Sequence, residues 1–207
     1  IDVKVGPLPA LSNGFITFGC FNKLSRMTDE VVSTRAKILR AVPASKLFLK
    51  DKQLENKPVC DRVIARFKAY GISADRLILE GRETHQKYLA CYNRVDVALS
   101  PFPYGGGTTS VEGLWMGVPV ITKMGDHFLS HLGESIAHNS GLSDWIATDK
   151  SDYIAKAVNF SSDLEALDKL RKGLRNRLLK TPLFDAKTFA YHFEQAVWEM
   201  RRSIDQN

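Results

Sequence analysis

Residues 15–21 read Phe15-Ile16-Thr17-Phe18-Gly19-Cys20-Phe21, and Thr28-Asp29-Glu30 then opens a stretch that Pro43 ends before Lys46-Leu47-Phe48-Leu49-Lys50. The first run is β-branched and aromatic, the composition of a buried strand. Thr28 suits a helix cap, and Asp29 and Glu30 sit where the positive end of a helix dipole favours acids. Val31, Arg35, Ile38 and Val42 recur at helical spacing, with Val32 and Leu39 widening the stripe. Lys46–Lys50 is a second strand. Strand, helix, strand in succession sets the pattern for the rest.

The unit repeats outward from this segment. The spacing predicts a helix over Val59–Tyr70 closed by Gly71, a strand at Arg76–Glu80 and a helix over Thr84–Tyr92. Strands follow at Val95–Leu99 and Val118–Thr122, separated by a helix over Thr108–Met116; Trp145–Ala147 is a last short strand. Helical stretches at Ser151–Ser161, Asp163–Leu179 and Ala186–Ser203 close the chain. Such alternation implies an α/β fold: a doubly wound, mostly parallel sheet with helices on both faces, right-handed crossovers and a C-terminal helical tail. The expected division is a lead-in over 1–14, a core over 15–150 and helices over 151–207.

Composition bounds the function. The 207 residues are 44% hydrophobic, ordinary for a globular chain and unlike a disordered one. Lys and Arg number 29 against 23 Asp and Glu, a formal charge of +6. The basic residues are spread out, with short clusters only at Arg171-Lys172, Arg175, Arg177 and Arg201-Arg202, and no nucleic-acid motif accompanies them; nucleic acid is not the expected partner. No apolar run approaches the roughly 18 residues of a membrane span, and no signal peptide is visible. Cys20, Cys60 and Cys91 are too few for a disulfide framework and fit reduced thiols in a cytoplasm. Ile1 opens the chain without an initiator Met, so a processed or excised piece is expected.

In a doubly wound sheet, ligands bind beyond the carboxyl ends of the strands. Three loops there carry candidate chemistry. Gly105-Gly106-Gly107-Thr108-Thr109 precedes a helix, where free N–H groups and two hydroxyls would suit a phosphate; the alternative is a plain turn with Thr108 as N-cap. Glu112, one turn on, is placed to accept from a ribose hydroxyl pair. After the first strand, Lys23 and Arg26 are each within reach of a diphosphate on that loop, or are two solvated surface cations. After the third strand, His85 would meet a base or stand on the surface. His127 and His131 are four apart without a third ligand, so no metal site is expected.

The stretches Phe18–Lys50 and Arg94–Thr122, with the closing Thr181-Pro182-Leu183-Phe184, resemble the C-terminal catalytic lobe of protein O-GlcNAc transferases and, equally, of SPINDLY-type protein O-fucosyltransferases. The likeness covers roughly residues 15–202. It implies a Rossmann-like lobe of a GT-B fold that holds the nucleotide sugar, a UDP- or GDP-sugar. It implies that Thr108 and Thr109, with Gly106 and Gly107, bind the diphosphate and that Glu112, an Asp in O-GlcNAc transferases, serves the ribose. Arg26 matches a Lys that stabilises the β-phosphate and is the implied catalytic residue; Lys23 matches a Gln. Tyr88 matches a base-contacting His, with His85 one turn earlier, Gly107 replaces a His, and Tyr104 stands where a Cys lies beside the sugar.

The resemblance further implies inverting transfer to a Ser or Thr hydroxyl with no metal or other cofactor. The family's N-terminal catalytic lobe and tetratricopeptide repeats, which meet the acceptor protein, are not in these residues, so little or no activity is expected of the piece alone. An apolar strip with Phe189, Phe193 and Val197 should then be under-covered, or buried by a second copy as a homodimer. The alternatives are another GT-B transferase with a glycan or lipid acceptor, and a non-catalytic module binding an anion or a partner.

Overall fold

The computed structural model describes residues 3–205. A lead-in with the short helix α1 (Ala10–Asn13) enters strand β1 (Thr17–Cys20), followed by one 3-10 turn at Leu24–Arg26. Helix α2 (Asp29–Ala41) starts on Thr28, whose side chain accepts the Val31 N–H at 3.3 Å. Strand β2 (Lys46–Lys50), helix α3 (Lys57–Lys68), strand β3 (Leu77–Glu80) and helix α4 (His85–Cys91) come next. Strand β4 (Val97–Leu99), helix α5 (Thr108–Trp115), strand β5 (Val120–Lys123), helix α6 (Leu132–Asn139) and strand β6 (Ile146–Ala147) complete the sheet. Helices α7 (Lys150–Ser162), α8 (Leu164–Leu178) and α9 (Ala186–Asp205) follow.

The strand order is β3-β2-β1-β4-β5-β6, and the strands pair in parallel. The chain winds outward from β1 to β3, then crosses back to lay β4 on the other side of β1. Loops leaving β1 and β4 therefore diverge, which opens a crevice at their carboxyl ends. Both faces of the sheet are covered. On β2, Leu47 and Leu49 join a core with Val31, Ile38 and Phe67, whereas Phe48 joins Phe21, Leu89, Tyr92 and Val95 on the opposite face. Burial on both sides is why the strands read as unbroken apolar runs.

The expected elements form, with shorter strands than the apolar runs suggested. Helix α6 is an addition. It buries only Gly133, Ile136 and Ala137, so small residues leave its stripe faint in the sequence. Helix α7 packs on α2, and α8 packs on α5. Helix α9 is different: Phe189, Phe193 and Val197 are 69%, 61% and 49% exposed, so the strip singled out in the sequence lies open on this chain.

Candidate functional site

The glycine loop is held from below by the end of β4. Ser100 Oγ accepts the Gly106 N–H at 3.1 Å, the Ser100 carbonyl accepts the Tyr153 hydroxyl at 2.9 Å, and Ser110 Oγ donates to the Gly106 carbonyl at 2.9 Å. A Cβ on Gly106 would lie 2.7 Å from Asn22 Nδ2 and overlap Thr109 Oγ1, so only glycine fits there. Gly107 is the N-cap of α5 and brings no side chain to it. Ser110 and Val111 both donate to the Gly107 carbonyl, at 3.0 and 3.1 Å. Among the described residues nothing accepts from the N–H groups of Thr108 and Thr109. Thr108 is thus the first helical residue, not the cap, and the positive end of α5 stays open.

The loop after β1 is fastened to this cradle. The Arg26 guanidinium donates to the Gly105 carbonyl, and Asn22 Nδ2 donates to Thr109 Oγ1 at 2.8 Å. Lys23 goes elsewhere. It is exposed and lines a pocket of about 310 Å³ with Phe21, Lys50, Gly81, Arg82 and Tyr88. The two cations that looked equivalent in the sequence are therefore divided, Arg26 to the glycine loop and Lys23 to the neighbouring pocket.

Glu112 joins the two parts. Its Oε1 lies 3.2 Å from His85 Nε2, and it is one helical turn beyond the open N–H groups. The Tyr88 and Tyr92 hydroxyls meet at 3.3 Å, and Tyr92 donates to the Thr109 carbonyl at 2.9 Å. Burial pushes both phenols well above their ordinary pKa, which keeps them neutral donors. Tyr104 is 47% exposed, two residues before Gly106. The structure thus brings Arg26, Gly106, Gly107, Thr108, Thr109, Glu112 and His85 together, with Lys23 and Tyr88 at the adjoining pocket. Sequence reasoning passed over Asn22, Ser100 and Ser110. Their place immediately after β1, after β4 and in the first turn of α5 was the available signal.

Other candidates resolve into structure. His131 lies 3.2 Å from Glu134, which also accepts the Gly125 N–H, and no group of three possible metal ligands forms among the described residues. Of the basic cluster on α8, Arg171 donates to the carbonyls of Gly6, Val95 and Tyr92, Arg175 to those of Trp115 and Val3, and Arg177 to that of Gly141. These side chains tie the chain to itself. No helix is long and apolar enough to cross a membrane among the described residues.

The chain is similar to "Probable UDP-N-acetylglucosamine--peptide N-acetylglucosaminyltransferase SPINDLY" of Hordeum vulgare, at 36% identity over 95% of this chain and 21% of that protein. The SPINDLY protein of Arabidopsis thaliana is also 36% identical, over 95% of this chain and 22% of its own length. The chain therefore spans about a fifth of these relatives. Among solved structures, a mutant of the Thermobaculum terrenum O-GlcNAc transferase superposes with a TM-score of 0.88 at 36% identity, covering 94% of this chain and 37% of that one. Anabaena HepE in complex with UDP and glucose shares the fold, with a TM-score of 0.61 at 14% identity over 92% of this chain and 51% of that one. The profile of glycosyl transferase family 41 matches residues 8–193, nearly the whole chain, and the chain belongs to that family.

Proposed function

We propose that this chain is the nucleotide-sugar-binding lobe of an inverting protein O-glycosyltransferase, which holds a UDP- or GDP-sugar for transfer to a Ser or Thr hydroxyl. The observation that supports it best is the junction of Arg26, the glycine loop and the open end of α5. A diphosphate seated there would accept from the N–H groups and hydroxyls of Thr108 and Thr109 and from Arg26. Glu112 would take the ribose hydroxyls, and the base would enter the pocket beside Tyr88. As the sugar–phosphate bond breaks, charge grows on the leaving diphosphate. Arg26 and the helix dipole would meet that charge, which is electrostatic stabilisation without a metal.

The group that deprotonates the acceptor, and the surface that meets the acceptor protein, belong in this reading to the part of the family's length beyond this lobe. Three free cysteines fit a cytoplasmic setting. A ligand that binds only the folded chain raises its melting temperature by mass action. Millimolar UDP or GDP should raise the Tm of the chain measurably. A Tm that moves with neither nucleotide would remove the proposal.

A further inference from the structure

Lys50 ends β2 in register with Glu80 of β3. Its side chain is 3% exposed, and it lies on the sheet face that carries Phe48. Nζ reaches Glu80 Oε2 at 3.4 Å and lies against the Cys91 thiol. Glu80 is held more closely by Arg94, at 2.6 Å, and the Arg94 guanidinium covers the Phe48 ring at 4.5 Å. An ammonium carries three donors, and a 3.4 Å contact with a carboxylate plus a thiol neighbour is a weak use of them. A buried cation so loosely paired is costly to keep. Lys50 nevertheless lines the pocket of about 310 Å³ with Phe21, Gly81, Arg82 and Tyr88. The Asp51 and Glu83 carboxylates line it too, Asp51 taken up by the N–H groups of Leu24 and Gln53 and Glu83 paired with Lys87. That volume lies at the lower end for ligand pockets and suits a nucleobase whose ribose reaches Glu112.

We infer that Lys50 is a specificity-determining residue for the donor nucleotide, its ammonium donating to a keto oxygen on the edge of the base. The inference rests on the nucleotide-binding reading of the site. An ammonium donates and never accepts. It therefore suits O4 of uracil or O6 of guanine and opposes the amino group that cytosine and adenine carry at the same position. A buried polar group left facing a like donor loses its partner, the strongest source of discrimination between similar ligands.

The test is calorimetric titration of UDP, GDP, CDP, ADP and inorganic pyrophosphate into the chain and into Lys50→Met. For the favoured ring size, the chain prefers the keto base over its amino counterpart by about tenfold or more. Lys50→Met brings the two within about threefold, while pyrophosphate affinity stays within about twofold because the phosphate end is untouched. Lys50→Gln, whose amide both donates and accepts, erases the preference in the same way and keeps a polar group at the site. A preference that survives in both variants, or that is absent from the intact chain, overturns the role of Lys50 alone. Failure of the intact chain to bind any of the nucleotides overturns the nucleotide reading, and this inference with it.

Discussion

Arg171 at the amino ends of the strands and the trio Arg26, Lys23 and Lys50 at the carboxyl ends are used in opposite ways. At the amino ends of β1 and β4, Arg171 is 1% exposed and donates to the carbonyls of Gly6, Val95 and Tyr92. Asp96 beside it accepts the N–H groups of Ala10 and Thr17 at 2.9 and 2.8 Å, which fixes the lead-in against the strands. Burial lowers the Arg171 pKa to about 10, still charged at neutral pH, and raises that of Asp96. At the carboxyl ends, Arg26, Lys23 and Lys50 surround an uncapped helix and an open pocket. Arg171, with Nε and both Nη atoms spent on the chain, holds the fold together, whereas Arg26 gives only Nη1 to the Gly105 carbonyl. Cations left with donors to spare mark where an anion or a polar ligand fits. The +6 charge is therefore two populations and not one field.

This contrast can be broken by mutation. Arg171→Ala leaves the carbonyls of Gly6, Val95 and Tyr92 without their donor and empties a buried site, and should cost about 3 kcal/mol or more in urea unfolding. A loss below about 1 kcal/mol would mean that the amino end is not held as described. Asn22→Ala removes the amide that ties the loop after β1 to Thr109, and should weaken UDP or GDP by about fivefold with little change in Tm. Equal losses in Tm and affinity would make Asn22 a fold residue instead. Phe193→Glu lies on the open face of α9 and should change unfolding free energy by no more than about 0.5 kcal/mol. A larger loss would show that this face is covered by another copy in solution.

Much of the fold was legible because local signals agreed. Lys46–Lys50 forms a strand with those bounds, and Thr28 caps α2 as its side chain and the following acids suggest. The order of the parallel strands has no periodicity to betray it, since each crossover helix looks alike in sequence. Buried charges were the other blind spot. Arg35 falls on the apolar stripe of α2, but its reason for being there, donation to the Leu99 carbonyl at 2.9 Å, lies 64 residues away. Arg171 read as part of a basic cluster for the same reason. At the site, the glycine loop, the paired threonines and Glu112 could be named in advance. The separation of Arg26 from Lys23 could not, because it depends on a contact with Gly105 that is 79 residues distant.

The most direct measurement is calorimetric titration of UDP and GDP into the intact chain and into Arg26→Ala. The account predicts that at least one nucleotide binds the chain and that Arg26→Ala weakens it by about thirtyfold, with the fold unchanged by circular dichroism. Absence of binding by either nucleotide, or binding that Arg26→Ala leaves unaltered, would contradict it.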